Sequence, residues 1–297
     1  MTVNRRDWLG TTAGAVCALA WPRNASAIEP IKRIGKPNIR LSLAAYSFRQ
    51  ALDLKKKEMT LFDFIDLAAT YPLDAVELTA FYFAETSPEY LAQLKGRATK
   101  LGLDISGTAV GNNFCVPDSG KLKEQIESVK KWVEHTSRLG GKTIRIFAGN
   151  VAKGDDEQKA RTRCIAAFEE ACDYAGKYGI YLALENHGGI TSTPDQILGL
   201  VKAVKSDWFG INFDTGNFNT DDPYSDLAKI APYAVVCQLK TEIHLKGKKK
   251  EDADLARLIG ILKDVNFRGY VALEYEAAED AKVAVPRALA ALRKLIS

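Results

Sequence analysis

Four apolar runs in the second half of the chain each end in side chains that carry oxygen or charge. They are YLALENHGG (181–189), GINFDTGN (210–217), AVVCQLK (234–240) and YVALEYE (270–276). Buried strands read as short apolar runs, so the polar residues stand where each strand would emerge into a loop. Side chains alternate across a strand with period two. Glu185 with His187, Asn212 with Asp214, Gln238 with Lys240, and Glu274 with Glu276 therefore share parity within their runs. If the first of each pair faces inward, its partner tends to follow. Glu185, Asp214, Gln238 and Glu274 are thereby expected around one point. Three carboxylates that close repel one another, and a divalent cation is the simple remedy. Oxygen ligands with one amide favour Mn²⁺ first and Mg²⁺ next, with Zn²⁺ a third candidate that ordinarily wants more nitrogen or sulfur. A cation holding a carbonyl and its neighbouring hydroxyl acidifies the C–H between them, and carboxylates on either side could remove and return that proton. The plainer reading makes each acid an ordinary strand-end residue in a salt bridge. Consistent placement on four successive runs favours a common site.

Positioning such groups requires parallel strands that deliver their ends to one face. The pattern supplies them. Runs at 40–48, 75–78, 104–110, 142–149, 181–185, 210–214, 234–240 and 270–274 read as strands. Between them lie amphipathic segments at 59–71, 87–100, 122–139, 157–178, 193–205, 221–230 and 252–264, and 285–296 closes the chain. Thr60, Ser87 and the Thr193-Pro194 pair are expected helix caps. Eight strands alternating with eight helices predict an α/β fold of the (β/α)8 TIM-barrel type, whose working groups sit at the C-terminal strand ends. An open doubly wound sheet would want a glycine-rich turn after an early strand, and none follows Leu43 or Val76.

The phrases LENHGG (184–189), FDTGN (213–217), QLK (238–240) and ALEYE (272–276) resemble the xylose isomerase-like superfamily of TIM barrels, in its branch of sugar phosphate isomerases and epimerases. The resemblance implies a metal held by Glu185, Asp214, a histidine and Glu274. At the histidine position this chain has Gln238, whose amide oxygen coordinates more weakly and cannot shuttle a proton. It further implies that Glu185 and Glu274 act as base and acid, and that His187 contacts a substrate hydroxyl. Lys240 could stabilise an enediolate oxygen. Arg145, a charge inside a strand, is expected either to organise the ligands by pairing with a carboxylate or to point outward. Glu77 is expected to bind substrate or to pair with Arg145. Asn217 supports the site shell, Tyr46 and the aromatics at 48 and 81–83 offer a stacking wall, and Asn113 is a weaker candidate. The expected activity is a metal-dependent isomerase or epimerase of a sugar or sugar derivative. The alternatives are a metal-dependent lyase on a 3-keto-glycoside or other oxidised sugar, and a non-catalytic periplasmic carbohydrate-binding barrel.

The 297 residues are 46% hydrophobic and 26% charged, with a formal charge of +4, an ordinary globular composition. The bias is local, in Arg5, Arg6 and Arg23 and in a lysine-rich stretch at 246–250, so no broad basic face for nucleic acid is expected. Residues 1–27 read as a twin-arginine signal peptide: Arg5-Arg6, a short apolar run, then Ala25-Ser26-Ala27 as cleavage site. The mature barrel would span 28–297, pass through the Tat translocase, work in the periplasm, and have no stable membrane insertion. A homo-oligomer is left open. The five cysteines do not make a disulfide framework. Cys164 and Cys172 are too far apart along one helix to bridge. His135 is expected at a helix surface, and His244 beyond the seventh strand could fold back over the site. No GxSxG, CxxC or HExxH pattern is present, and three histidines are too few for the several zinc ions of abasic-site endonucleases.

Overall fold

A computed structural model describes residues 28–297, so the signal-peptide reading of residues 1–27 lies outside the described residues. The strands are β1 (Asn38–Ala44), β2 (Ala75–Thr79), β3 (Asp104–Ala109), β4 (Thr143–Ile146), β5 (Tyr181–Glu185), β6 (Phe209–Asp214), β7 (Ala234–Leu239) and β8 (Arg268–Leu273). Each pairs in parallel with its sequence neighbour, and β1 pairs with β8 to close the barrel. Eight helices return the chain: α1 (Leu61–Ala68), α2 (Pro88–Lys100), α3 (Ser119–Leu139), α4 (Glu157–Gly176), α5 (Pro194–Val201), α6 (Pro223–Ile230), α7 (Leu255–Asp264) and α8 (Ala281–Ile296). The α/β TIM barrel expected from the alternation is the fold.

Local signals explain most boundaries. Thr60 forms a reciprocal capping box with Asp63, and Thr193 does the same with Gln196. The Ser87 hydroxyl accepts from the Tyr90 N–H at 3.2 Å to open α2. The long helix α3 starts earlier than its apolar periodicity suggests, because the Asp118 carboxylate accepts from the Lys121 N–H at 2.8 Å. Two expectations need correction. The first run is a strand only to Ala44; residues Ala45–Phe48 turn into a 3-10 helix. There the Ser47 hydroxyl donates to the Leu273 carbonyl at 3.0 Å and accepts from the Tyr275 N–H at 2.9 Å, which staples the β1 loop to the end of β8. Helix α5 stops at Val201, short of the expected 205.

Most of the apolar core lies between sheet and helices. A second, small cluster of Ala75, Ala183, Val236 and Tyr270 is separate from it. Each of these stands two or four residues before Glu77, Glu185, Gln238 or Glu274 on its own strand, so it shares that residue's inward face. Small side chains and one tyrosine thus plug the barrel beneath a polar layer. Beyond the strand ends, Asn219–Thr220, Glu242–Leu245 and Glu251–Asp252 form a three-stranded sheet over one side of the mouth. The lysines at 246 and 248–250 are exposed, as expected of a solvated loop. Among the described residues no helix is long and apolar enough to cross a membrane.

Candidate active site

Glu185 and Asp214 are the last residues of β5 and β6. Gln238 lies one before the end of β7, Lys240 just beyond it, and Glu274 just beyond β8. All five are buried, together with Glu77 on β2 and Arg145 on β4. Asn212 within β6, and Lys240 and Glu276 beyond the ends of β7 and β8, join the same cluster as their parity partners.

Lys240 is at its centre. Its Nζ lies 3.0 Å from Asp214 Oδ2, 3.3 Å from Glu274 Oε2 and 3.4 Å from Glu276 Oε2. The ammonium also donates to Asn217 Oδ1 at 3.1 Å. Asn217 in turn donates through Nδ2 to Glu185 Oε1 at 2.8 Å, so it links the lysine to the opposite carboxylate. The backbone around Lys240 is locked by Thr215, whose hydroxyl accepts from the Lys240 N–H at 2.8 Å. Gly216 leaves room for the lysine stem. A Cβ there would stand 2.7 Å from Lys240 Cδ and 3.0 Å from the Glu242 carbonyl oxygen. The glycine of the FDTGN phrase therefore has a steric reason.

Gln238 forms the floor. Its Nε2 donates to Glu77 Oε1 at 2.6 Å and to Glu274 Oε1 at 3.3 Å, while its Oε1 accepts from Asn212 Nδ2 at 2.6 Å. Asn212 also donates to Glu185 Oε2 at 3.3 Å. The amide thus turns its nitrogen to the two carboxylates and its oxygen to Asn212. The amide oxygen expected to coordinate a cation is turned away and already engaged. Nor do the carboxylates of Glu185, Asp214 and Glu274 close on a shared vacant point. Among the described residues no group of three His, Cys, Asp or Glu side chains is disposed to hold a metal ion. The expected four-ligand set of Glu185, Asp214, Gln238 and Glu274 thus does not fit a divalent ion here: an ammonium engages Asp214 and Glu274, Glu185 pairs with Arg145, and the Gln238 oxygen is held by Asn212.

Arg145 faces inward. Its Nε is 3.0 Å from Glu185 Oε2, its Nη1 donates to the Val110 carbonyl at 3.1 Å, and its guanidinium lies 4.1 Å from the Phe147 ring centroid. Of the two expectations for this residue, the carboxylate partner is the one found. Glu77 pairs with Gln238 and forms no ion pair with Arg145. His187 sits at the rim with 47% of its side chain exposed, its Nδ1 4.0 Å from Glu185 Oε1 and its ring edge-on to Phe147 at 4.4 Å. Tyr46 is half-buried in the β1 loop, its ring 5.4 Å from the Arg49 guanidinium. Of the aromatics at 81–83, Phe81 is exposed, while Tyr82 and Phe83 are core. Asn113 organises its own loop: its Oδ1 accepts from the Cys115 N–H at 2.9 Å. His135 is buried, not at the surface, and packs edge-on to Trp132 at 5.3 Å. His244 Nε2 bonds the Lys248 carbonyl at 2.9 Å within the small sheet and does not return over the cluster.

Five carboxylates (Glu77, Glu185, Asp214, Glu274 and Glu276) face two cations (Arg145 and Lys240). Burial disfavours the charged acids first, and their mutual repulsion adds to it. Glu77 is pushed up to about 7 by burial, then by Glu274. Burial likewise lifts Glu185 to about 7 against the pull of Arg145, and Asp214 to about 6 against Lys240. Glu274 is also raised, by burial foremost. Burial opposes charge on Lys240, yet Asp214, Glu274, Glu185 and Glu276 together hold its ammonium well above the usual lysine range. Raised in this way, Glu77, Glu185, Asp214 and Glu274 are easier to protonate than exposed carboxylates. Such a site offers one carboxylate able to accept a proton and another able to give one near neutral pH.

Two clefts border the cluster, one at His187 and one at Glu276. A cleft of about 230 Å³ is lined by Asn112, Asn113, Phe147, Asn150, His187 and Thr191. Another, of about 540 Å³, lies between the β1 and β8 loops, lined in part by Ser47, Arg49, Glu58, Tyr275 and Glu276. Glu276 and Asn212 were not singled out from the sequence as site residues. The alternation that pairs them with Glu274 and Asp214 is the signal that points to them. Phe147 carried no such signal.

A family model described as xylose isomerase-like TIM barrel matches residues 65–295. No curated protein matches in sequence. Among solved structures, D-psicose 3-epimerase from Clostridium cellulolyticum H10 superposes with a TM-score of 0.71 at 15% identity, covering 87% of this chain and 99% of that one. The 3-keto-D-glucoside 4-epimerase from E. coli gives 0.68 at 15% identity, covering 86% and 100%. The IOLI protein with a zinc atom gives 0.67 at 20% identity, covering 86% and 96%. At these identities the likeness is one of fold.

Proposed function

The chain belongs to the xylose isomerase-like TIM-barrel family, and from that premise we propose that it is an isomerase or epimerase of a sugar or sugar derivative. The observation that carries the reading is the pair Glu185 and Glu274, the first linked to the Lys240 ammonium through Asn217 and the second standing 3.3 Å from it. Fold-mates named as a 3-epimerase of a ketose and a 4-epimerase of a 3-keto-glucoside support a substrate with a carbonyl beside the carbon to be inverted.

In the proposed reaction, one of the two glutamates in its carboxylate form takes the proton from that carbon. The C–H electron pair becomes the C=C of an enediolate, and the charge moves to the carbonyl oxygen. Lys240 stabilises that oxygen with its ammonium, in a site dry enough to make the interaction strong. The other glutamate, as the acid, returns a proton to the opposite face. The product differs only in configuration, or in carbonyl position if the proton is returned to the neighbouring carbon. Arg145 orients Glu185, and His187 contacts a substrate hydroxyl at the rim. Burial, foremost, and the charges of Lys240 and Arg145 favour its neutral form, while Asp214 opposes them. Metal dependence is not part of the proposal, since the ligand set does not fit an ion. We retain as proposals the export by the twin-arginine route and a periplasmic site of action.

Incubation with ketoses and keto-glycosides in D₂O tests this reading. Epimerisation or isomerisation places deuterium next to the carbonyl. Release of a fragment would instead favour elimination by a lyase, and binding with neither outcome would favour a carbohydrate-binding barrel.

A further inference from the structure

We propose that Lys240 is a built-in replacement for the divalent cation, so that this barrel neutralises and organises its acidic mouth without a metal. The inference concerns the same cluster as the proposed epimerase, but cation content is read without any substrate, so the two can fail separately.

Three independent features carry it. The first is the position of the ammonium. Four oxygens, from Asp214, Asn217, Glu274 and Glu276, lie 3.0–3.4 Å from Nζ. Those are hydrogen-bond and ion-pair distances, and they use the lone pairs that a hard cation would need. The second is the room made for the lysine. The missing Cβ at Gly216 admits its stem, and Thr215 fixes its backbone from the neighbouring strand end. The side chain is thus seated from root to tip. The third is Gln238. An imidazole there could ligate an ion; the amide instead donates to Glu77 and Glu274 and accepts from Asn212. Its donors serve two carboxylates, and its oxygen is held by Asn212. Gln238 in place of the histidine that the resemblance implies, with the Lys240 ammonium seated among four oxygens, puts hydrogen-bonding chemistry where a cation would stand.

The consequence is a catalyst limited to one positive charge that can also donate protons, in place of a Lewis acid with two. It needs no metal loading before export.

The test is metal analysis of the mature chain purified without chelator, followed by thermal melts with MnCl₂, MgCl₂ or ZnCl₂ and with EDTA. The expected result is a metal content far below one per chain and a melting temperature that neither the salts nor EDTA move. A site occupied at about 100 times its dissociation constant would raise the melting temperature by roughly 5–10 °C. Such a rise, or about one ion per chain as purified, would overturn the proposal. The double variant Gln238→His with Lys240→Met supplies the converse. It restores a ligand and vacates the centre, and should gain Mn²⁺ binding by calorimetry. A folded double variant that takes up no Mn²⁺ contradicts the claim that the ammonium holds a cation's place. If that variant does not fold, the measurements on the native chain decide alone.

Discussion

Lys240 Nζ and Asp214 Oδ2 stand 3.0 Å apart, both buried, where the ends of β6 and β7 meet at the barrel mouth. Breaking a buried pair by removing one partner typically costs about 3–5 kcal/mol, because the other charge is left unmatched. Lys240→Met should therefore lose roughly that much at pH 8. At pH 5 the loss should be smaller, since the abandoned carboxylates of Asp214 and Glu274, already raised by burial, can take up protons. Urea denaturation at the two pH values measures it. Equal losses at both would mean that the lysine contributes packing and no charge.

Replacing either proposed proton carrier should stop turnover while leaving the fold. Glu185→Gln and Glu274→Gln keep the side-chain shape and one acceptor oxygen but lose basicity. Each should lower kcat by about 10²–10⁴-fold with a smaller change in KM. Following solvent deuterium from each epimer separately assigns the faces. If one variant keeps full activity, that glutamate is not a proton carrier.

Gly216→Ala tests the seat of the lysine. The added methyl would meet Lys240 Cδ at 2.7 Å and the Glu242 backbone oxygen at 3.0 Å. One of them is backbone and cannot swing away, so the lysine stem must shift. A loss of about 1–3 kcal/mol is expected from overpacking, along with reduced kcat. Wild-type activity in this variant would show that the position of Nζ tolerates displacement.

Much of this arrangement is legible in the sequence, and the reasons are geometric. Apolar runs of strand length mark β5 to β8, and the period-two alternation carries Glu185, Asp214, Gln238 and Glu274 to one face. What alternation does not encode is direction within a side chain. Gln238 reads as a possible ligand by residue type, yet the ligand role depends on which end of its amide faces the carboxylates. That is settled by Glu77, 161 residues earlier in the chain. Lys240 reads as a substrate contact, and its central role depends on Gly216 giving its stem a path. His135 shows the same limit in the core: a polar residue on a helix suggests the surface, while Trp132 and the packing of α3 bury it.

Glu77 gives a pH signature. Its folded pKa of about 7 stands above the ordinary 4.5, chiefly through burial. Between those values the folded chain holds a proton that the unfolded chain has released. Stability from this group is therefore full below about pH 4.5 and is lost as pH rises toward 7. Glu77→Gln can still accept the Gln238 hydrogen bond but has no proton to lose. It should flatten the decline in stability between pH 5 and 8 by roughly 2 kcal/mol. Denaturant titrations of both proteins across that range check the sign. A decline that is equally steep in the variant would place the responsible proton elsewhere in the cluster.

The most direct measurement is a crystal structure of the chain soaked with a ketose or keto-glycoside. The sugar's carbonyl oxygen is expected within hydrogen-bond distance of Lys240 Nζ, with Glu185 and Glu274 on opposite faces of the adjacent carbon. A sugar held with its carbonyl turned away from Lys240, or with both glutamates on one face, would contradict the proposed reaction.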